Sequence, residues 1–170
     1  MRIRYPFVAL FVAILSACAR PAIPLSTSSG GPAEIELVIA ATTDIHGRAR
    51  GWNYDLDAPD QAVGLARAAT IVDSLRAASN DRVLLIDSGD IIQGNALAFV
   101  AARVAPPDAP HPVIAAMNAM RYDAAAVGNH EFNFGVPFLE RTVSQAKFPL
   151  LAANAKRPDG SRAFRAWTLV

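Results

Sequence analysis

The sequence predicts an α/β protein built on a largely parallel sheet. Two patterns predict it. Short apolar, strand-like runs alternate with amphipathic, helix-like segments, and polar donor residues follow three of those runs directly. The composition agrees: 52% apolar and 18% charged residues exclude a disordered or fibrous chain. The formal net charge of +1 offers no basic stripe of the kind a nucleic-acid polymer requires.

The first residues read as an export leader, not as part of the fold. Arg2 and Arg4 form a short positive region, and Tyr5 to Leu15 is an uncharged apolar run, shorter than the roughly 20 residues a spanning helix needs. Leu15-Ser16-Ala17-Cys18 follows and resembles a bacterial lipobox, with Cys18, the only cysteine, as the lipid attachment point. We therefore expect residues 1–17 to be a lipoprotein signal peptide. Removing them takes away both arginines and moves the formal charge from +1 to −1. Residues 18–33, rich in Pro, Ser, Thr and Gly, read as a flexible tether. The expected location is the periplasm or cell surface, with the membrane as a partner through the lipid.

The domain is expected over residues 34–170. Glu34 to Thr42 carries a buried strand pattern. Gly64 to Ala78 has Leu65, Ala68, Val72 and Leu75 at helical offsets of three and four. Val83 to Ile86 is a second strand. Asn95 to Ala102 is a candidate helix, and Ala105 to Pro110 is a loop. Pro112 suits a first helical turn, with Val113, Met117 and Met120 on the apolar side and His111 as a cap or surface residue. Ala124 to Val127 is a third strand. Val136 to Ala146 is helical with Phe138, Leu139 and Val143 inward, and Phe148 to Ala153 is a fourth strand.

In parallel sheets ligands bind outside the carboxyl ends of the strands. Those ends carry the polar residues here: Thr43-Asp44-Ile45-His46-Gly47, Asp87-Ser88-Gly89-Asp90, Gly128-Asn129-His130-Glu131, and Asn154. The residue types suit metal-assisted hydrolysis. Asp44 and His46, one residue apart, can turn toward one ion. The two oxygens of Asp90 can bridge a pair of ions, and Asn129 offers a neutral carbonyl to the second. Two cations about 3.5–4 Å apart activate water and clamp a phosphoryl group.

Asp44-Ile-His46, Gly89-Asp90 and Gly128-Asn-His-Glu131, in order and each after a strand, resemble the successive signatures of calcineurin-like metallophosphoesterases. The finer text is similar to the branch of the 5'-nucleotidase family that acts on 2',3'-cyclic nucleotides and 3'-nucleotides. It includes Asp87 to Gly94, His111 to Asn118 and Gly128 to Gly135. The resemblance covers roughly residues 36–170. It implies the first part of a four-layer α/β/β/α sandwich and two divalent ions (Mn, Zn, Fe or Co) held by Asp44, His46, Asp90 and Asn129. It also implies a catalytic His130 over the scissile phosphate, with Asn129 and His130 meeting the nucleotide substrate. Glu131 is expected to support the loop. Asn133 stands where related 5'-nucleotidases carry Asp; it cannot hold a charge but can accept a hydrogen bond and orient His130. Alternative readings are a 5'-nucleotidase or other phosphomonoesterase, and a non-catalytic metal- or nucleotide-binding lipoprotein.

Other polar and aromatic residues have blander expected roles. Asp87 is expected at a turn or helix cap, Trp52-Asn53-Tyr54 in a packed loop, and Phe132 and Phe134 in the core. Asn154 is expected to bond the loops. Arg48, and the Gln93-Gly94-Asn95 stretch, are each open between phosphate contact and a plain structural role. The resemblance implies further histidines, including a Gly-His-x-His stretch, and a nucleotide-binding domain; this chain holds only His46, His111 and His130, and Val170 falls in a strand-like region. The expectation is a truncated product. Sequencing the DNA past codon 170 checks it: a continuing frame encoding Gly-His-x-His is expected, whereas intact genes ending there in several strains would favour the binding protein.

Overall fold

The strands form because apolar runs too short for helices can bury themselves side by side. In the structure, a computed structural model describing residues 34–170, they do so in one parallel sheet. The expected signal peptide, the tether and Cys18 lie outside the described residues. The elements are β1 (Val38–Thr42), β2 (Trp52–Asn53), β3 (Ala58–Pro59), α1 (Leu65–Ala78), β4 (Val83–Asp87), α2 (Ala96–Arg103), α3 (Pro112–Ala119), β5 (Ala124–Ala126), a 3-10 turn (His130–Phe132), α4 (Val136–Val143) and β6 (Leu150–Leu151). The sheet order is β1-β4-β5-β6, all parallel, with Ala40 beside Leu85, Asp87 beside Ala125 and Ala125 beside Leu150. Strands β2 and β3 form a separate small hairpin that periodicity did not reveal, each being only two residues long.

Every crossover steps one strand in the same direction. Right-handed crossovers of that kind put all the connecting helices on one face. Burial agrees with this. Leu85, Val113, Ile114, Met117 and Leu139 are fully buried in one cluster with Leu65, Val72, Phe138 and Leu150. The alternate residues of β1 face away: Ile39 is 62% exposed and Ala41 is exposed, while Val38, Ala40 and Thr42 are half-buried. Ile35, Leu37, Trp167, Leu169 and Val170 are also largely exposed. Ile39 and Ala41 thus leave an exposed apolar strip along β1.

Polar groups tie the helix layer together at buried points. Arg76, at the end of α1, donates to the carbonyls of Met120 (2.8 Å) and Arg121 (3.1 Å), satisfying carbonyls at the C-terminus of α3. His111 corrects the sequence reading. It occupies the N-cap position of α3, but its side chain caps nothing. The ring is 3% exposed, lies edge-on to Phe138 at 5.9 Å, and neither nitrogen has a hydrogen-bond partner. Pro112 at the first helical position already removes one of the orphan donors, so the imidazole packs as an aromatic. Burial lowers its pKa to about 4.

Asp87, at the end of β4, is the opposite case. Its Oδ2 accepts from Thr42 Oγ1 (2.5 Å), which in turn lies 2.8 Å from the Tyr122 hydroxyl, and its Oδ1 accepts from Gly89 N (2.7 Å). This is the expected turn role. Burial outweighs these bonds and raises its pKa to about 6.

The two groups have opposite linkage. A folded His111 pKa below the unfolded 6.5 makes stability rise as pH climbs from about 4 to 6.5. A folded Asp87 pKa above 3.8 makes stability fall as pH climbs from about 4 to 6. Each effect is roughly 3 kcal/mol, so over pH 4–6 they nearly cancel. Urea denaturation of the metal-free chain checks this. Relative to wild type, Asp87→Asn should gain stability as pH rises through that window, and His111→Leu should lose it.

Candidate active site

The loops leaving β1 and β4 do not separate at the sheet edge. They continue as an irregular ladder: Ser88 N donates to Thr42 O (3.0 Å), Asp44 N to Gly89 O (3.1 Å), His46 N to Asp90 O (2.9 Å) and Gly47 N to Ile91 O (2.8 Å). Along it Asp44, His46 and Asp90 all take left-handed backbone conformations, with φ of 52, 47 and 62°. A non-glycine residue there costs on the order of 1 kcal/mol or more and persists only where its surroundings enforce it. Three of the four expected metal ligands sit in this strained backbone.

His46 Nδ1 lies 2.8 Å from Gln93 O. A carbonyl can only accept, so Nδ1 carries the proton and Nε2 keeps its lone pair, the arrangement a metal-ligating histidine needs. Nε2 lies 3.5 Å from Asp44 Oδ1. The Asp44 carboxylate also accepts from Thr43 Oγ1, which accepts from Ser88 Oγ (2.6 Å). Asp90 Oδ1 accepts from His130 N (2.9 Å). Ligand atoms of His46, Asp90 and His130 all lie within 4.8 Å of one another, and the two rings meet edge-on at 5.1 Å. Asn129 is exposed at the N-cap of the 3-10 turn. A carboxylate-and-imidazole set with a free nitrogen at its centre fits a divalent cation.

His130 differs from His46 in its partner. Asn133 Nδ2 lies 2.9 Å from His130 Nδ1. The contact is the ring-orienting hydrogen bond expected of Asn133, its donor and acceptor following the imidazole tautomer. Glu131, fully buried, takes four backbone amides: Oε2 from Asp90 N (2.9 Å) and Gly128 N (2.6 Å), Oε1 from Ile91 N (2.5 Å) and Ile92 N (3.2 Å).

The remaining candidates sort by position. Asn95 caps α2 through Ala98 N (2.9 Å), while the carbonyl of Gln93 orients His46, a main-chain role no side-chain motif announces. Arg48 is half-buried and lines, with Asp44 and Arg67, a cavity of about 420 Å³ against α1. Asn53 closes its own loop by accepting from Asp55 N and Leu56 N, and Arg50 stacks on Trp52. Phe134 packs on Phe138 at 5.4 Å. Phe132 does not join the core: it is 40% exposed, edge-on to Phe164, because Glu131 takes the inward position of the turn. Asn154 is exposed, and its side chain bonds none of these loops among the described residues.

The sequence profile of the Calcineurin-like phosphoesterase family matches residues 37–166, the span holding all of these loops. The chain belongs to that family. Three relatives frame it within the family. The trifunctional nucleotide phosphoesterase protein YfkN of Bacillus subtilis (strain 168) is 36% identical over 174 residues, covering 99% of this chain and 12% of its own length. A crystal structure of calcineurin-like phosphoesterase YfkN matches with a TM-score of 0.72 and 40% identity, over 76% of this chain and 40% of that one. The 2',3'-cyclic-nucleotide 2'-phosphodiesterase/3'-nucleotidase of Haemophilus influenzae is 40% identical over 125 residues, 73% of this chain and 19% of its own. Human 5'-nucleotidase is 40% identical over 126 residues, 71% of this chain and 21% of its own. The chain thus spans 12–21% of the length of these curated relatives.

Family members use divalent metals, and Gly94 gives a direct test of the site. A Cβ there would stand 2.6 Å from His46 Cβ and 2.8 Å from Nδ1, at a φ of 137°. Gly94→Ala should push the ring off Gln93 O and weaken Mn(II) binding by about tenfold or more in calorimetry. Gly160→Ala, in open space at φ 81°, should leave affinity unchanged.

Proposed function

We propose that this protein hydrolyses nucleotide phosphoesters with the help of two divalent ions, acting on 2',3'-cyclic nucleotides and 3'-nucleotides, outside the cytoplasm. The observation that carries the reading is the convergence of His46, Asp90 and His130 at the carboxyl end of the sheet, beside Asp44. The substrate class is supported by the relatives, whose names include nucleotide phosphoesterase, cyclic-nucleotide phosphodiesterase/3'-nucleotidase and 5'-nucleotidase. Asn133, in place of the aspartate of related 5'-nucleotidases, favours the cyclic-phosphodiesterase branch. The export signal read in residues 1–17, with Cys18 as a lipid anchor, supports the location.

Asp44 and His46 would hold the first ion, Asp90 would bridge, and Asn129 would reach the second. Mn, Zn, Fe and Co suit these ligands comparably. When bound, the ions supply a water activated for attack and neutralise charge on the phosphoryl group. The chain's own contribution to the chemistry is His130. In the tautomer with its proton on Nε2, and Nδ1 facing Asn133, His130 would pass that proton to the leaving oxygen as general acid. Asn129, one residue before it, joins His130 in binding the phosphate.

The test uses the full-length gene product with Mn(II). Adenosine 2',3'-cyclic phosphate should be turned over in preference to 5'-AMP, and His130→Ala should lower kcat by about 10²–10⁴-fold. Preference for 5'-AMP would move the protein to the 5'-nucleotidase branch. An unaffected His130→Ala variant would remove the general acid.

A further inference from the structure

We infer that Glu131 is a positioning residue that sets metal affinity by locking Asp90. The inference rests on the metal-site reading above. Its basis is how completely Asp90 is held. The main-chain N–H of Asp90 is taken by Glu131 Oε2, its carbonyl accepts from His46 N, and its Oδ1 accepts from His130 N. Oδ2 makes no hydrogen bond among the described residues, and Oδ1 keeps a second lone pair, so both oxygens can still meet ions. The residue is held at φ 62°, in the left-handed region that is uncommon for a non-glycine residue.

Glu131 supplies that constraint from beneath. One carboxylate binds three consecutive amides of the β4 loop (Asp90, Ile91, Ile92) and one of its own loop (Gly128). Three successive N–H groups converging on one point turn the backbone out of its extended path, which puts Asp90 into the left-handed region. The bonds to Asp90, Ile91 and Ile92 join the two loops, and the Gly128 bond fixes the carboxylate in its own loop, so the Asp90 carboxylate and the His130 backbone stay in register. The fit leaves no slack: a Cβ on Gly128 would strike Asp90 Oδ1 and stand 2.9 Å from Glu131 Oε2. Glu131 itself is fully buried and touches no reacting atom. It acts through Asp90 and not on substrate.

An ordinary core role and a positioning role give different results. Glu131→Gln keeps the size but sets an amide N–H₂ against backbone N–H groups. It should weaken Mn(II) binding by about 10–100-fold in calorimetry run well below Tm. Val72→Ala in α1, remote from the loops, should lower Tm while leaving affinity within about twofold. If Glu131→Gln lowers Tm but keeps wild-type affinity, or if Val72→Ala weakens binding equally, the positioning role is wrong. A second measurement needs neither a variant nor an ion. In the metal-free wild type, the amides of Asp90, Ile91, Ile92 and Gly128 should exchange with solvent as slowly as the amides of β4. Exchange at open-loop rates would overturn the clamp. A wild-type chain that bound no Mn(II) but protected those amides would refute the metal reading and leave the clamp standing.

Discussion

One buried carboxylate organises the rim of this sheet. A glutamate with no exposed surface is costly unless its oxygens are fully paired, and here four main-chain amides do the pairing. Charge-assisted bonds of this kind are among the stronger ones a protein makes. They hold two loops that leave neighbouring parallel strands and would otherwise diverge. The strained backbone at Asp44, His46 and Asp90 depends on that join, because the Asp44–Gly89 and His46–Asp90 bonds run onto the loop that Glu131 shapes.

The scaffold beneath was legible from residue patterns. The four strands and four helices follow from apolar periodicity, and Val113, Met117, Phe138 and Leu139 face inward as their spacing requires. What escaped was whatever depends on contacts between distant segments. The β2–β3 hairpin is too short to show a period. His111 looked like a surface cap because its helix-start position is local information, whereas the pocket against Phe138 is not. Phe132 looked like core because it is apolar, but the 3-10 turn has one inward position here and Glu131 occupies it.

The candidate site divides the same way. That Asp44, His46, Asp90 and His130 belong together could be read from their positions after strands. Their hydrogen-bond roles could not. The two histidines have similar chemistry but different partners, a main-chain carbonyl in one case and a side-chain amide in the other. Gln93 contributes through its main chain, so no residue type marks it. The exposure of Ile35, Leu37, Ile39, Trp167, Leu169 and Val170 is likewise a tertiary fact that apolar residue type does not announce.

The spacing of the donors along the chain has an energetic corollary. His46, Asp90 and His130 are each some 40 residues apart and meet only through tertiary contacts. An unfolded chain presents them singly, with no chelating pair beyond Asp44 and His46. Cation uptake is therefore tied to the native state, and free ion at a hundredfold excess over Kd would deepen the native well by about 2.7 kcal/mol. A cation bound there would serve the fold's cohesion as well as the chemistry proposed for it.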